Sequence, residues 1–427
     1  MRTMKDSGIE WIGQIPQEWD VCKIKNCFNV FAGATPKSGN SEFWDGDIVW
    51  VTPADYTTEQ KYISKGRKNI TREGFESCST EMIPTGSLIF SKRAPIGLAA
   101  INTVELCTNQ GCLSCVPLDE NDVEYFYYAF GCFSEQFDLY GSGTTFKEIS
   151  ADAFVNFSIP CPVPETQRKI SEYLRNRCAE IDALIAAKEK TNALLKERRQ
   201  SIIYEAVTKG LNPNAPMKDS GIEWIGEIPE HWEVRRLKVI AEMQTGTTPK
   251  TSDSDFFDGD VNWFTPADFS GNMLINESER KLTQKAIEEG QVNLFPANTI
   301  MLVGIGATVG KTAFTQVAAS CNQQITAILI KEPERAKYYA YWLSACSGTI
   351  KATANYTTLP IINNQHLGET FCPYANSVDE QTEITEYLDR TCAGIDGLIS
   401  ANEATIQKLK EYRQSIIYEA VTGKIEV

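Results

Sequence analysis

The stretch MKDSGIEWIGQIPQEWDV (Met4–Val21) returns in the same chain as MKDSGIEWIGEIPEHWEV (Met217–Val234). Met4 and Met217 lie 213 positions apart in a chain of 427 residues, close to half its length, and such self-similarity decides the architecture before any local reading does. Carried forward, the offset lays FWDGDIVWVTPADY (from Phe43) on FFDGDVNWFTPADF (from Phe256) and RAPIG (from Arg93) on GATVG (from Gly306). It also lays TNQG (from Thr108) on CNQQ (from Cys321), YFYYAF (from Tyr125) on YYAYWL (from Tyr338), and Thr144-Thr145 on Thr357-Thr358. Beyond Pro160 and Pro373 the offset becomes 214. QRKISEYL (from Gln167) then matches QTEITEYL (from Gln381), and RQSIIYEAVT occurs at Arg199 and again at Arg413. The order is globular copy, helix, globular copy, helix.

Within each globular copy, short β-branched or aromatic runs such as DIVWVTPAD and SLIFSK end in Gly, Pro, Ser or Asp, as strands ending in turns do. VEYFYYAFGCFSEQF has helical spacing of its large apolar residues. The segments after Pro164 and Val378 differ in kind. Leu174, Ile181, Lys188, Leu195 and Ile202 recur every seven residues, as do Leu388, Ile395, Asn402, Leu409 and Ile416. Leu184, Ile185, Leu398 and Ile399 widen each stripe. Sustained heptads predict two long helices that pair, and the polar breaks at Lys188 and Asn402 would set the register of an antiparallel pair. A helix of about 42 residues spans roughly 60 Å. The expected fold is α+β: two similar mixed α/β domains, 1–163 and 211–377, separated by long helices over 164–210 and 378–427.

The net charge of −15 argues against a nucleic-acid binder. It divides as −8 over residues 1–164, +3 over 165–210, −5 over 211–378 and −5 over 379–427. The two helices thus carry opposite sign, which suits partners that choose each other. No apolar run reaches the roughly 18 residues of a membrane span, and MRTMKDSGIE lacks the apolar core of a signal peptide. A cytoplasmic address is expected, with the 13 cysteines as reduced thiols.

Several stretches imitate active sites. GIGATVGKT (Gly304–Thr312) resembles a phosphate-binding loop, but Ile305 stands where that loop needs its first glycine, and the other copy has Leu98 in place of Lys311. Cys107, Cys112 and Cys115 have metal-like spacing, yet Ile325 and Ile328 replace the last two in the second copy, which marks them as small core residues. ADYTTEQK (Ala54–Lys61) faintly resembles a nuclease carboxylate–lysine pair, of which the second copy keeps only Asp268. With His231 and His366 the only histidines, no histidine acid–base mechanism is shared by both copies. No cofactor, no metal and no catalytic residue is expected.

Two related modules on a paired-helix spacer suit reading two separated marks on one long molecule, with DNA the obvious one. At this point the residues resemble a known family. The tandem MKDSGIEWIG openings, the RAPIG/GATVG turns, the TNQG/CNQQ elements, the VPETQRKISEYL and VDEQTEITEYL helix starts and the SIIYEAVTGKIEV terminus are together similar to the specificity subunit of type I restriction–modification enzymes. The resemblance covers essentially the whole chain. It implies two target-recognition domains, each reading half of a bipartite double-stranded DNA site, and a coiled coil that sets the gap and docks methyltransferase subunits, joined by restriction subunits. Methylation and cleavage would then belong to those partners. Three rivals stand beside it: an orphan or type IIB-like recognition subunit, a coiled-coil scaffold binding protein only, and a nucleotide-dependent enzyme using Lys311.

Features identical in both copies should be scaffold or phosphate contacts, and features that differ should include the base readers. The shared set is Arg67-Lys68 with Arg280-Lys281, and Thr144-Thr145 with Thr357-Thr358. Asn109-Gln110 and Asn322-Gln323 are also shared, as contacts or as turns satisfied by their own side chains. Trp11, Trp19, Trp224 and Trp232 are expected to pack in the core. Among the differing residues, Lys92, Arg93 and Lys147 are the expected base readers of the first copy, and Lys250, Lys311 and Asn363 those of the second, because Lys or Arg suits guanine and Asn suits adenine. Solvent exposure alone also accounts for each of these side chains. The acidity predicts weak DNA binding by the isolated chain unless cations gather on one face or partners supply them.

Overall fold

The computed structural model describes residues 2–58, 60–93, 95–143, 147–352, 355–356 and 359–427. The chain forms two compact units, Met1–Lys188 with Glu403–Val427, and Glu189–Asn402. Each unit therefore holds one globular head, the near part of the helix that follows it, and the far part of the other helix.

In the first unit the central sheet runs in the order Phe28–Ala32, Cys112–Pro117, Leu88–Ser91, Ala99–Asn102, Tyr62–Ile63. All neighbours are antiparallel except the last pair. Leu88, Phe90 and Leu113 point into one apolar cluster, while Ile89, Ala100 and Cys112 point into another. A strand buried on both faces needs apolar residues throughout, which is why LIFS and AAIN do not alternate with polar residues. A smaller sheet orders Cys107–Thr108, Trp44–Val51 and Lys68–Ile70. The second head repeats both. Its central sheet is Ala241–Thr245, Ile325–Ile330, Thr299–Val303, Thr312–Thr315, with the fifth strand reduced to a parallel bridge between Leu274 and Phe314.

The long helices span Pro164–Lys209 and Val378–Val421. In the second unit Arg199 pairs with Asp396 at 3.0 Å and the Asn402 amide donates to Asn192 at 2.9 Å. The numbers rise on one helix as they fall on the other, so the pair is antiparallel. In the first unit Asp182 meets Arg413 at 2.9 Å. Asn192, 6 % exposed, is a polar partner of Asn402 that the heptad pattern does not mark; Lys188 is half-buried. The stripe is narrower than the sequence implied. Ile185 and Ile399 are buried, but Leu184 and Leu398 are 54% and 57% exposed.

The repeated opening forms a hairpin in each head, Met4–Asp6 with Gln14–Pro16 and Met217–Asp219 with Glu227–Pro229. Each hairpin grips the C-terminal end of a long helix. In the first unit the Tyr418 hydroxyl donates to Ile12 O at 3.3 Å and the Tyr125 hydroxyl to Val421 O at 3.1 Å. In the second, Tyr204 donates to Trp224 O at 2.6 Å and Tyr338 to Val207 O at 2.7 Å. The phrase occurs twice because RQSIIYEAVT occurs twice. Trp19 and Trp232 are buried beside these junctions, and Trp11 and Trp224 pack against them partly exposed.

Candidate nucleic-acid interface

The sheets correct the residue correspondence. Asp55 accepts the backbone N–H of Arg67 at 2.9 Å, and Asp268 that of Glu279 at 2.8 Å. Lys68 pairs with Trp50 in the ladder, and Arg280 O accepts from Trp263 N. Arg67-Lys68 therefore correspond to Glu279-Arg280, and Lys281 corresponds to Asn69. The shared cation is single: Lys68 Nζ lies 5.2 Å from the Trp44 ring centroid, and the Arg280 guanidinium 5.4 Å from that of Phe257 and 4.9 Å from that of Trp263. Both side chains are exposed, and an aromatic platform holds a cation without neutralising it.

A second slip occurs at the RAPIG turn. Ser91 pairs with Cys112, and Val303 with Ile325. Gly97 N donates to Ser91 O, whereas Gly310 N donates to Val303 O, with one more residue between them. Lys92 thus corresponds to Gly304 and Arg93 to Ile305. Around them the backbone frame is the same in both heads. Lys92 N donates to Gly111 O and Ile149 N to Lys92 O, at 2.9 and 3.0 Å; Gly304 N donates to Gln324 O and Ile362 N to Gly304 O, both at 2.8 Å. Arg93 bridges Glu148 where Ile305 bridges Ile361.

On this frame the first head gathers charge. Lys92 and Arg93 meet the Glu148 carboxylate at 2.7 and 3.4 Å, and Lys147 turns to Asp138 at 2.5 Å. The expected readers Lys92 and Arg93 therefore come together on one carboxylate, while Lys147 pairs elsewhere. Those of the second head do not. Asn363 lines a cavity of about 440 Å³ with Ile305, Ile361, Gln323, Gln324 and Gln365. Lys311 Nζ instead donates to Phe269 O at 3.1 Å, and Lys250 is exposed on the loop after Thr248. Thr144, Thr145, Thr357 and Thr358 lie outside the described residues.

Both Asn-Gln elements are turns for their first residue. Asn109 Oδ1 accepts Gly111 N at 2.8 Å and Asn322 Oδ1 accepts Gln324 N at 3.0 Å. The glutamines do something further: exposed Gln110 accepts from the Thr35 hydroxyl, and exposed Gln323 from that of Thr248. Gly33 and Gly246 allow this approach, since a Cβ there would sit 2.3 Å from Thr108 O and from Cys321 O. Elsewhere, Cys107 and Cys112 lie buried in their strands, and burial pushes both thiols up to about 12. A larger cavity, about 610 Å³, lies between the Val123–Cys132 helix and the second long helix in the first unit and holds none of the expected readers.

Two stretches of the chain, residues 16–196 and 229–410, match the family described as the type I restriction modification DNA specificity domain. The chain belongs to this family. The MjaIX type I restriction enzyme specificity subunit of Methanocaldococcus jannaschii is 29% identical over 97% of this chain and 95% of its own length. The MjaVIII specificity subunit of the same organism is 22% identical over 97% and 94%. A solved structure titled for complex assembly and conformational transition of the type I R-M system covers 96% of this chain and 99% of its own, at TM-score 0.73 and 16% identity. The HsdS subunit from Thermoanaerobacter tengcongensis covers 96% and 98%, at TM-score 0.53 and 17% identity.

A specificity subunit has no active site of its own, so its surface must be judged as a reader. Judged so, the sequence missed Glu148, Gln324 and Gln365. Amide density in NQQ (Asn322–Gln324) and NNQ (Asn363–Gln365) was the available signal. Among the described residues no helix is long and apolar enough to cross a membrane.

Proposed function

We propose that each head of this specificity subunit reads one half of a bipartite, gapped DNA site in the cytoplasm. The paired helices fix the gap and dock methyltransferase subunits, and ATP-driven restriction subunits complete the assembly. The observation that carries this reading is one backbone frame used twice with different side chains upon it. A reader of two unlike half-sites needs equal scaffolds and unequal base edges. Lys68 and Arg280, each held on an aromatic platform, are the cations suited to phosphate in both heads. The remaining acidity leaves affinity to partner-supplied charge, since phosphate contacts dominate binding free energy.

The test is co-expression with the neighbouring methyltransferase subunit, followed by methylation-sensitive sequencing of host DNA. A gapped, asymmetric motif with methyladenine in each half is the expected result. A soluble complex that adds no methylation would sink the reading in favour of a protein scaffold.

A further inference from the structure

The shared frame carries two chemically opposite surfaces. In the first head it presents two cations and a carboxylate, Lys92, Arg93 and Glu148, within one hydrogen-bonded cluster. At the same backbone positions the second head presents Gly304, Ile305 and Ile361. Amides surround these: Gln324 and Gln365 replace Gly111 and Asp152 of the first head. Among the described residues no lysine or arginine lines that cavity. Asn364 is committed to the scaffold, accepting from the Thr326 hydroxyl at 3.0 Å and donating to Thr245 at 3.1 Å. The exposed Gln365 side chain has no hydrogen-bond partner among the described residues, so its carbonyl and its NH2 are both available.

We propose that the two heads read opposite classes of base pair here: the first a G·C pair, the second an A·T pair. This rests on the half-site reading above. Guanine offers two acceptors, O6 and N7, to the major groove, which Arg93 or Lys92 can fill, and its cytosine offers an N4 donor that Glu148 can accept. Adenine offers one acceptor beside one donor, so its match must both donate and accept, as Gln365 does. The thymine methyl needs an apolar wall, and Ile305 with the 36 % exposed Ile361 supplies one. A cation has no acceptor for adenine N6, and an amide set beside isoleucines has no charge for guanine. The paired cations therefore favour guanine, and the amide–isoleucine set favours adenine with thymine.

The experiment compares genomic methylation motifs produced by the complete methyltransferase complex carrying the unaltered chain, Arg93→Ala, Arg93→Gln or Gln365→Ala, with co-purification as the assembly control. Arg93→Ala is expected to relax a G·C position in one half of the motif by roughly tenfold, the weight of one good base contact. Arg93→Gln should move preference at that same position from G towards A. Gln365→Ala should relax an A·T position in the other half. Relaxation at the opposite class of base pair, both effects in one half, or an unchanged motif from intact complexes would overturn the inference while leaving the half-site reading standing. An unaltered chain that gives no gapped motif removes both.

Discussion

Glu124 in the first head and Lys337 in the second occupy one position of the repeat, and their charges are opposite. Each faces the long helix of its own unit. Glu124 meets Arg175 at 2.6 Å, and Lys337 meets Asp389, the residue corresponding to Arg175, at 2.5 Å. A tyrosine steadies each carboxylate: the Tyr62 hydroxyl donates to Glu124 at 2.5 Å and the Tyr341 hydroxyl to Asp389 at 2.8 Å. Geometry survived the divergence of the two copies because both sides of the contact changed sign together. The consequence is a matching rule. The first head set on the second unit's helix would put Glu124 against Asp389, and the reverse would put Lys337 against Arg175. Like charges in contact discriminate against a wrong partner more strongly than a missing contact does.

The largest expected effect comes from breaking that rule. Glu124→Lys sets a new cation beside Arg175 and beside Lys61, which lies 3.1 Å from Glu124. It should cost about 2–3 kcal/mol of unfolding free energy in the first unit, between the values for exposed and buried pairs. Adding Arg175→Asp should restore more than half. If the double variant is merely the sum of the singles in denaturant unfolding, the pair is not coupled and the comparison fails.

Next come Gln167 and Gln381, again one position of the repeat. Gln167 is fully buried and ties the head to the helix, accepting from Asp122 N at 2.8 Å and donating to Pro162 O at 2.8 Å. Gln381, 2 % exposed, has no hydrogen-bond partner of normal geometry for its amide among the described residues. In the second head Arg335 takes over, donating to Ala375 O at 2.9 Å. Gln167→Leu should therefore destabilise by about 2 kcal/mol, since it strands two buried backbone groups. Gln381→Leu should be neutral or stabilising by about 1 kcal/mol. Equal losses from the two, read by hydrogen exchange at the respective helix starts, would refute the assignment.

Trp19 and Trp232 differ less. Trp232 Nε1 donates to Glu380 at 3.0 Å, whereas Trp19 Nε1 has no partner among the described residues and Thr166 stands at the place of Glu380. Both indoles fill equivalent core space, so substitution by Phe removes similar volume from each. Trp232→Phe should cost about 1–2 kcal/mol more than Trp19→Phe, the value of a hydrogen bond to a charged group. Thermal unfolding of the two variants side by side measures that difference.

These pairs also explain what could be seen in the sequence. A repeat of 213 then 214 residues revealed the two heads, the long helices and their antiparallel pairing, because identical phrases carry identical junctions. A fixed offset could not reveal the slips at Arg67 and at the RAPIG turn. A residue lost from one loop and gained in another cancels beyond the second site, and only the strand ladders register it. Basic residues in loops singled out Lys92 and Arg93, which meet on Glu148. The same argument gave Lys311 no warning that its ammonium group turns to the Phe269 carbonyl. The amides of the second head were hidden for a topological reason: NQQ and NNQ are far apart in sequence and converge only across the Ile305–Ile361 bridge.

The smallest effect tests the inverted ion pair through pH. Burial works to raise the Glu124 carboxyl, but hydrogen bonds from Tyr62, Arg175 and Lys61 outweigh it and hold the carboxyl below the ordinary glutamate range. A carboxyl depressed on folding contributes stability that is fully present above its unfolded pKa and is lost as pH falls through the lower folded value. The first unit should therefore soften in acid, in the window below the ordinary glutamate range, and Glu124→Gln should flatten that part of its profile. Hydrogen exchange of the Val123–Cys132 and Ala336–Ala345 helices at stepped acid pH reads the two units separately. If the Glu124→Gln profile overlays the unaltered one, the carboxylate's bonds are not what ties that head to its helix. The opposite charges at Glu124 and Lys337 would then be drift, and a chimera with exchanged heads should assemble as well as the parent.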